Sequence, residues 1–288
     1  MPVSDILIAV IMILIMFSIG LAMKPKNLKA IFEERKSLLI GLFFQIVFLP
    51  VFTFLLLSFS NLPPVFKAGF FIVAICPGGT MSNFITYLLK GDIALSFLLT
   101  TVNTIIILFT VPFLTQFAVS HYMEHNLFQN IDLSMYILKV ILGLLIPVFI
   151  GFIFKYSFPR VSFKIQQPLK IINSVLLALV FTLKIFGSEK SGGSGISFNE
   201  ILMLLPLALI IHLGAILISY FLSLKLNIKN IKASTIGIEV GLQNTTLALL
   251  ITSTILHNND MSKPAIVFAM FTFFTTLIFG YLSLNFKR

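Results

Sequence analysis

The stretch GIEVGLQNTTLALLI, residues 237–251, places three strongly polar side chains in a sequence that otherwise resembles a membrane-spanning helix. Glu239, Gln243 and Asn244 lie within six residues of each other, between apolar runs. An ionisable side chain inside a membrane span is costly and is by default a sign of function. A neutral glutamate held by hydrogen bonds is the alternative. No Lys or Arg lies in this stretch, so an ionised Glu239 pairs more plausibly with a bound cation than with a fixed one.

The composition of the whole chain is that of a helical membrane protein. Of its 288 residues, 58% are hydrophobic and 10% are charged, whereas soluble domains are close to half apolar and about a quarter charged. Stretches of about 20 apolar residues, each long enough to span a bilayer, follow one another along the chain. We therefore predict an all-α polytopic membrane protein embedded in the lipid bilayer.

Nine apolar segments, separated by charged and turn-forming residues, are predicted to cross the membrane. They lie near residues 4–23, 37–59, 65–89, 92–118, 133–154, 167–187, 199–224, 231–256 and 264–285. With the N-terminus outside, 15 of the 20 Lys and Arg residues fall on the inner side, as the positive-inside rule requires. Membrane topology thus accounts for the net charge of +10, and no basic, aromatic-rich helix indicates a nucleic-acid partner. We predict a multi-pass protein of a cell inner membrane or plasma membrane, with a cytoplasmic C-terminus.

Two of the predicted spans contain residues that interrupt a helix. The third contains CPGGTMSN at residues 76–83, and the eighth contains EVGLQN at residues 239–244. Proline lacks a backbone donor and glycine is a poor helix former. Unwound backbone at the middle of a membrane is tolerated only where protein or a wet cavity satisfies its polar groups. Interrupted segments at matching positions in two halves of a chain indicate the binding site of a secondary transporter, although a kink at a close helix contact is the alternative for either segment alone.

The two interruptions lie in halves of the chain that we predict to be repeats. Residues 1–118 form the first repeat, with four spans and its interruption near 77–83. Residues 133–288 form the second repeat, with five spans and its interruption near 239–244. The interrupted spans are the third and the eighth, and this odd difference in span number means that the halves run in opposite directions through the membrane. This is the inverted-repeat arrangement of many transporters.

The polar residues near the interruptions are oxygen donors that suit a hard cation. Three residues of the fourth span are spaced i, i+4, i+7 and share one helix face; they are Ser96, Thr100 and Asn103. The first two of these could point a hydroxyl at a group formed by Ser82, Asn83 and Glu239. Gln45 in the second span is a further candidate oxygen. No cluster of His and Cys indicates a transition metal.

The half-helices that follow the interruptions are predicted to bind the substrate at their N-terminal ends. A helix N-terminus presents free N–H groups and the positive end of the helix dipole, which favour an anionic ligand. The candidate residues at these ends are Thr80, Met81, Asn83, Asn244 and Thr245. Backbone N–H groups and amide side chains could hold an organic anion there without an arginine.

The chain resembles the bile acid:sodium symporter family over nearly its whole length, on the motifs CPGGTMSNFITYLLKGDIALS and EVGLQNTTLA. The resemblance implies a core domain and a panel domain, two discontinuous helices that cross at mid-membrane, and two sodium ions behind the substrate site. One sodium site is implied at Ser82, Asn83, Ser96, Thr100 and Glu239. The other is implied at Gln45, Glu239, Val240, Leu242 and Gln243, with Val240 and Leu242 contributing carbonyls. Several similar bacterial members have ten spans, so the resemblance implies that the counterpart of their first span is missing here.

These features predict a sodium-coupled symporter that transports an organic anion, either bile acid-like or a smaller carboxylate, by alternating access. One alternative is a proton-coupled carrier in which Glu239 carries the proton. Another is an exporter of a small anion such as arsenite, which would use a thiol such as that of Cys76. An enzyme is not predicted, because the chain has no paired-histidine metal motif and no second aspartate within a span to accompany Asp92.

Overall fold

The computed structural model describes residues 3–22, 34–123, 133–187 and 193–285, and within these ranges the chain is helical, without a β-strand. The helices, in chain order, are α1 (Val3–Ala22), α2 (Arg35–Ser58), α3 (Pro64–Ile75), α4 (Thr80–Leu88), α5 (Ile93–Tyr122), α6 (Leu133–Ser157), α7 (Pro159–Phe186), α8 (Phe198–Lys225), α9 (Asn230–Gly241), α10 (Thr245–Ile255) and α11 (Asn259–Asn285). Each predicted apolar segment coincides with one of these helices or with a consecutive pair of them.

Four helices in the described ranges, α2, α7, α8 and α11, are long and apolar enough to cross a membrane. Helix α5 is a fifth when its two halves, inclined by 60°, are taken as one span. Pro112 lies inside this helix and has no N–H for the carbonyl of residue 108, and the two halves of the helix meet at that residue. The prediction of an all-α polytopic membrane protein is confirmed, while the total of nine spans stays a prediction.

The helices form two groups. Helices α1, α6 and α7 pack against each other. The contact between α1 and α6 is close because both helices have a glycine there. A Cβ atom on Gly20 would lie 2.1 Å from the carbonyl oxygen of Val148, and a Cβ atom on Gly151 would lie 2.2 Å from that of Phe17. Any side chain at either position would force these two helices apart.

The second group contains α2 to α5 and α8 to α11, and it surrounds both interruptions. The two groups meet where α1 and α6 contact Leu250–Ile255, the π-helical end of α10. They also meet where α5 contacts α6 and where α7 contacts α11. Polar residues of the predicted site therefore belong to one group of helices, and the other group lies beside it.

Both predicted interruptions are present in the structure. Helix α3 ends at Ile75 and α4 begins at Thr80, while α9 ends at Gly241 and α10 begins at Thr245. The backbone is extended at Cys76, Gly79 and Leu242. The non-helical segments are shorter than the predicted ones: the first ends with Gly79, and the second begins only after Gly241.

Candidate functional site

The two non-helical segments lie antiparallel to each other and pair through their backbones. The N–H of Gly79 donates to the carbonyl of Leu242 at 3.2 Å, and the N–H of Asn244 donates to the carbonyl of Pro77 at 2.8 Å. Groups that have lost their helical partners thus bond to the opposite segment, which meets the requirement that buried backbone polar groups be satisfied. The two predicted interruptions therefore form a single crossing, which contains residues from both halves of the sequence.

Glu239 lies in the last turn of α9, directly behind this crossing. Its side chain is buried, with an exposed fraction of 2%. Its carboxylate lies against the backbone of Gly78, where a Cβ atom would be 2.5 Å from Oε1. Among the residues that the structure describes, the salt bridges join other groups and none involves Glu239. Burial of an ionised carboxylate is unfavourable unless a charge or hydrogen bonds compensate it.

Two hydroxyl groups of α5 reach the carboxylate of Glu239. The Oγ of Ser96 lies 3.2 Å from Oε2, and the Oγ1 of Thr100 lies 2.5 Å from Oε1. Both hydroxyls project from one face of α5, as their spacing predicts. The start of α5 is held in register with α9 because the N–H of Asp92 donates to the Thr235 hydroxyl at 3.0 Å. The helix thus presents both hydroxyls at the level of the carboxylate.

Asn83 of α4 joins the same group of residues. Its Nδ2 donates to the Oγ1 of Thr100 at 2.9 Å, and its Oδ1 lies 2.9 Å from the Oγ of Ser96. Ser82 precedes it, is fully buried and donates to the carbonyl of Gly79 at 2.7 Å. We call Ser82, Asn83, Ser96, Thr100 and Glu239 the carboxylate cluster. All five residues predicted for the first sodium site therefore lie together.

The carboxylate cluster contains more oxygens than its hydroxyl hydrogens can serve. The hydrogen of Ser96 has two acceptors within reach, Oδ1 of Asn83 and Oε2 of Glu239. The hydrogen of Thr100 likewise has two, Oε1 of Glu239 and the carbonyl of Ser96. Because a hydroxyl carries a single donor, each one leaves one of its neighbouring oxygens without a hydrogen from it. A hard cation, which is bound by several oxygens at once, fits such a set of groups.

Gln45 connects α2 to both interruptions. It lies in the π-helical turn Phe44–Phe48, a local distortion that is frequent at functional sites. When its amide oxygen faces Gly78, that oxygen accepts from the Gly78 N–H at 3.3 Å and from Nε2 of Gln243 at 3.1 Å. Its nitrogen then donates to the carbonyl of Glu239 at 3.2 Å. The side chain thus bridges the first interruption, the end of α9 and the second interruption.

Neither orientation of the Gln45 amide satisfies all of its neighbours. In one, its Nε2 donates to Oε1 of Gln243 at 3.0 Å, but its oxygen then faces the carbonyl oxygen of Glu239. In the other, in which its oxygen faces Gly78, the side-chain oxygens of Gln45 and Gln243 lie 3.0 Å apart, and neither oxygen carries a hydrogen. Gln243 cannot turn its amide over without loss, because its Nε2 also donates to the carbonyl of Val240 at 2.6 Å. We call Gln45, Val240, Leu242 and Gln243, together with the carbonyl of Glu239, the amide cluster. It contains all five residues predicted for the second sodium site.

The predicted substrate residues lie at the N-terminal ends of α4 and α10, the helices that follow the interruptions. Asn244 is the N-cap of α10 and accepts from the N–H of Leu247 at 3.0 Å. Thr245 begins that helix, and Met81 in the first turn of α4 is exposed. The side chain of Thr80 lies outside the described part of the structure. Asn83, in contrast, bonds within the carboxylate cluster through both ends of its amide.

Two residues behave differently from what their sequence context indicates. Asn103, the third residue on the predicted face of α5, is buried, but neither atom of its amide makes a hydrogen bond with the described residues. His212 of α8 has no predicted role, yet its Nδ1 lies 3.0 Å from the carbonyl of Gly241 at the second interruption. The one sequence signal for His212 is a titratable residue within an apolar span.

Comparison with known proteins gives this arrangement a context. The family model described as the sodium bile acid symporter family matches residues 9–191, more than half of the chain. A probable sodium/metabolite cotransporter of the chloroplast in Arabidopsis thaliana is 27% identical over 252 residues, which are 88% of this chain and 60% of that protein. A sodium-dependent organic anion transporter of Homo sapiens is 28% identical over 251 residues, which are 86% of this chain and 63% of that protein.

A bacterial relative is similar over more of its own length. An uncharacterized sodium-dependent transporter of Bacillus subtilis is 25% identical over 261 residues, which are 89% of this chain and 76% of that protein. The chain thus spans about three fifths of the length of the plant and human relatives. All of these names are names of transporters and not of enzymes, in agreement with the prediction from the sequence.

Proposed function

Because the chain belongs to the sodium bile acid symporter family, we propose that it is a sodium-coupled secondary transporter of an organic anion, with its binding site at the crossing. The observation that carries the proposal is the excess of oxygen atoms over donor hydrogens on both sides of Glu239. Two sodium ions would supply the positive charge that both clusters lack. The protein would lie in a cell inner membrane or plasma membrane, with its N-terminus outside and its C-terminus in the cytoplasm.

The first sodium ion would bind in the carboxylate cluster. Ser96, Thr100 and Asn83 supply neutral oxygens, and Glu239 supplies the only charge in the cluster. A bound ion would relieve the competition of two acceptors for each hydroxyl hydrogen. It would also compensate the burial of the carboxylate, whose side chain has no ion-pair partner among the described residues.

The second sodium ion would bind in the amide cluster. The side-chain oxygens of Gln45 and Gln243, 3.0 Å apart, would then both face the ion instead of repelling each other. The carbonyls of Val240 and Leu242 lie in the same segment as Gln243 and would complete the set of oxygens. Hard oxygen ligands of this kind favour alkali and alkaline-earth cations over transition metals.

Sodium binding would prepare the substrate site through the crossing itself. Both proposed ion sites use Glu239, one through its carboxylate and the other through its carbonyl. Each ion would therefore stabilise the position of Glu239 that the other ion site requires. The ordered crossing would then hold Pro77 against Asn244 and fix the N-terminal ends of α4 and α10. The free N–H groups at those ends would bind a carboxylate. Bile acid-like anions and smaller carboxylates both meet this requirement.

Transport would proceed by movement of one helix group relative to the other. The group α1, α6 and α7 would be the panel, and the group around the crossing would be the core, with residues 1–118 and 133–288 as inverted repeats. Because the ion-binding residues all belong to the core, the core would carry ions and substrate as a unit. Alternating access in inverted-repeat transporters is largely a rigid-body motion of this kind.

The arsenite alternative has less support from the structure. Cys76 is fully buried, and its Sγ donates to the carbonyl of Ile72 at 3.1 Å, so the thiol faces its own helix. A proton-coupled carrier would use the same carboxylate as the sodium transporter. The two differ in which cation stabilises the folded protein, since a ligand stabilises only the state that it binds.

Thermal unfolding of the purified protein tests the proposal directly. Sodium chloride is titrated against potassium chloride at constant ionic strength and at several pH values, with the wild type and the variant Glu239→Gln. We expect sodium, but not potassium, to raise the unfolding temperature of the wild type, and the variant to lose this response. Sodium-gradient-driven uptake of a labelled carboxylate into proteoliposomes should be lost in parallel. A pH response without a sodium response would instead support proton coupling.

A further inference from the structure

His212 has a fixed orientation behind the second interruption. It projects from α8 and is 1% exposed. Its ring packs edge-on against Phe268 and Phe271 of α11, with centroid distances of 6.5 and 5.5 Å. Its Nδ1 lies 3.0 Å from the carbonyl of Gly241, and its Nε2 lies 2.7 Å from the hydroxyl of Thr275. Packing and hydrogen bonds therefore fix the orientation of the imidazole.

The partners of His212 determine which ring nitrogen carries the hydrogen. The carbonyl of Gly241 can only accept, so Nδ1 must be the donor at 3.0 Å. In a neutral imidazole Nε2 is then an acceptor, and Thr275 must donate its hydroxyl hydrogen to it. The hydroxyl of Thr275 lies closer to Nε2, at 2.7 Å, than to its other acceptors, which are carbonyls of its own helix at 3.0 and 3.2 Å. The histidine thus serves as a fixed donor to Gly241.

The carbonyls around Gly241 bond in different directions. The carbonyl of Val240 accepts from the side chain of Gln243, and that of Leu242 accepts from the N–H of Gly79. Only the carbonyl between them accepts from His212, on α8. Leu242 has extended backbone angles, and in extended backbone successive carbonyls point to opposite sides. Fixing the carbonyl of Gly241 on α8 therefore directs the carbonyl of Leu242 the other way, towards the crossing.

Gly241 makes such an external tether necessary. A peptide group beside glycine rotates more easily than one between residues that have a Cβ atom. The helix ends at this residue, so its carbonyl has no partner from a following helical turn. Without the bond to His212, the peptide could turn and expose the wrong carbonyl to the amide cluster.

We infer that His212 is a positioning residue for the proposed second sodium site: it holds the carbonyl of Gly241 on α8 and so fixes the carbonyl of Leu242 on the side of the crossing. The inference rests on the proposed function. His212 does not touch the ion itself. Groups that orient metal ligands in this indirect way commonly change metal affinity by about 10- to 100-fold when they are replaced.

Two substitutions of nearly equal size separate this role from simple packing. In His212→Asn, the side-chain amide lies near the position of Nδ1 and can still donate to Gly241. In His212→Gln, the amide lies near the position of Nε2 and faces Thr275 instead. Both variants lose the ring and its contacts with Phe268 and Phe271, so both should unfold at a lower temperature than the wild type. Only the glutamine variant should also bind sodium more weakly.

The measurement is a sodium titration of the unfolding temperature at constant ionic strength, with the full-length protein in each case. We expect His212→Gln to need about tenfold more sodium than the wild type for the same stabilisation, and His212→Asn to respond at concentrations close to those of the wild type. Equal sodium dependence in all three proteins, or an equal loss in both variants, would overturn the inference. If His212→Gln does not fold, His212→Leu, which has no donor for Gly241, replaces it: a raised sodium requirement supports the inference, and an unchanged one overturns it.

The variant Glu239→Gln distinguishes failure of this inference from failure of the proposed function. If the wild type responds to sodium and Glu239→Gln does not, the proposed function holds and the His212 variants decide the inference alone. If the wild type itself shows no response specific to sodium, the proposed function fails, and the inference fails with it.

Discussion

The backbone of Gly78 and the carboxylate of Glu239, which come from opposite halves of the sequence, touch at the crossing. A Cβ atom on Gly78 would lie 2.5 Å from Oε1 and 3.1 Å from the carboxyl carbon of Glu239. The neighbouring Gly79 is different, because a Cβ atom there would meet nothing closer than 3.9 Å. The two glycines interrupt the same helix, but only Gly78 is required by the position of the carboxylate.

The variant Gly78→Ala is expected to lose most of its response to sodium. The added methyl group must displace the carboxylate of Glu239 or the backbone of the crossing, and overpacking of this kind costs about 1–3 kcal/mol. Sodium titration of the unfolding temperature measures the loss. The matched control is Gly79→Ala, which should keep the sodium response of the wild type. A wild-type response in Gly78→Ala would contradict the close contact described here.

Thr100 and Thr101 provide a second matched pair. Thr100 reaches Glu239, whereas the hydroxyl of Thr101 donates only to the carbonyl of Phe97 in its own helix, at 2.7 Å. We expect Thr100→Val to lower sodium affinity by roughly tenfold, since a hydrogen bond to a charged group contributes about 1.5–3 kcal/mol. Thr101→Val should leave the affinity unchanged. Half-saturating sodium in proteoliposome uptake is the measurement, and equal values for both variants would argue against the carboxylate cluster as an ion site.

A charged group far from the crossing is expected to affect stability without affecting sodium binding. Lys263 forms salt bridges with Glu200 at 2.7 Å and with Asp260 at 2.6 Å, and it joins α11 to α8. Lys263→Met should lower the free energy of unfolding by about 1 kcal/mol, because Asp260 is largely exposed and its pairing is screened by solvent. The increase in unfolding temperature caused by sodium should be the same as in the wild type. A change in that increase would show that the N-terminal end of α11 is coupled to the crossing.

The variant Cys76→Ser tests whether a thiol takes part in transport. Serine is slightly smaller and can donate to the carbonyl of Ile72 in place of the sulfur. We therefore expect sodium-driven uptake to continue at the rate of the wild type. In the folded wild type, the buried thiol should also react with maleimide only after unfolding. Loss of transport in the serine variant would favour a small-anion exporter that uses the thiol.

Local patterns in the sequence predict much of the site, and long-range contacts supply the rest. Ser96 and Thr100 are predicted correctly to share a helix face, because the spacing of four residues fixes their direction. Asn103 follows the same spacing but makes no hydrogen bond with the described residues, since the surroundings of a helix face change along its axis. The bond from His212 to Gly241 depends on how α8 packs against α9, which no local pattern encodes.

The ends of the interruptions are another feature that the sequence predicts only in part. Polar residues mark the predicted segments near 77–83 and 239–244, but polarity does not end a helix. Glu239 is still helical, and α4 already contains Asn83. Proline and glycine, and the absence of a continuing hydrogen-bond partner, decide where the backbone unwinds. The π-helical turn at Gln45 has no such marker in the sequence.

The backbone pairing at the crossing also constrains how the protein is made. Pro77 and Gly79 are synthesised long before Asn244 and Leu242, with which their backbones form hydrogen bonds. Lipid cannot form hydrogen bonds with these backbone groups. Until translation is nearly finished, neighbouring protein or water must therefore satisfy the polar groups of the first interruption. Closure of the crossing is consequently a late step in biogenesis. A nascent chain cut short before α9 would retain an open, unsatisfied segment, which membrane quality-control proteases could recognise.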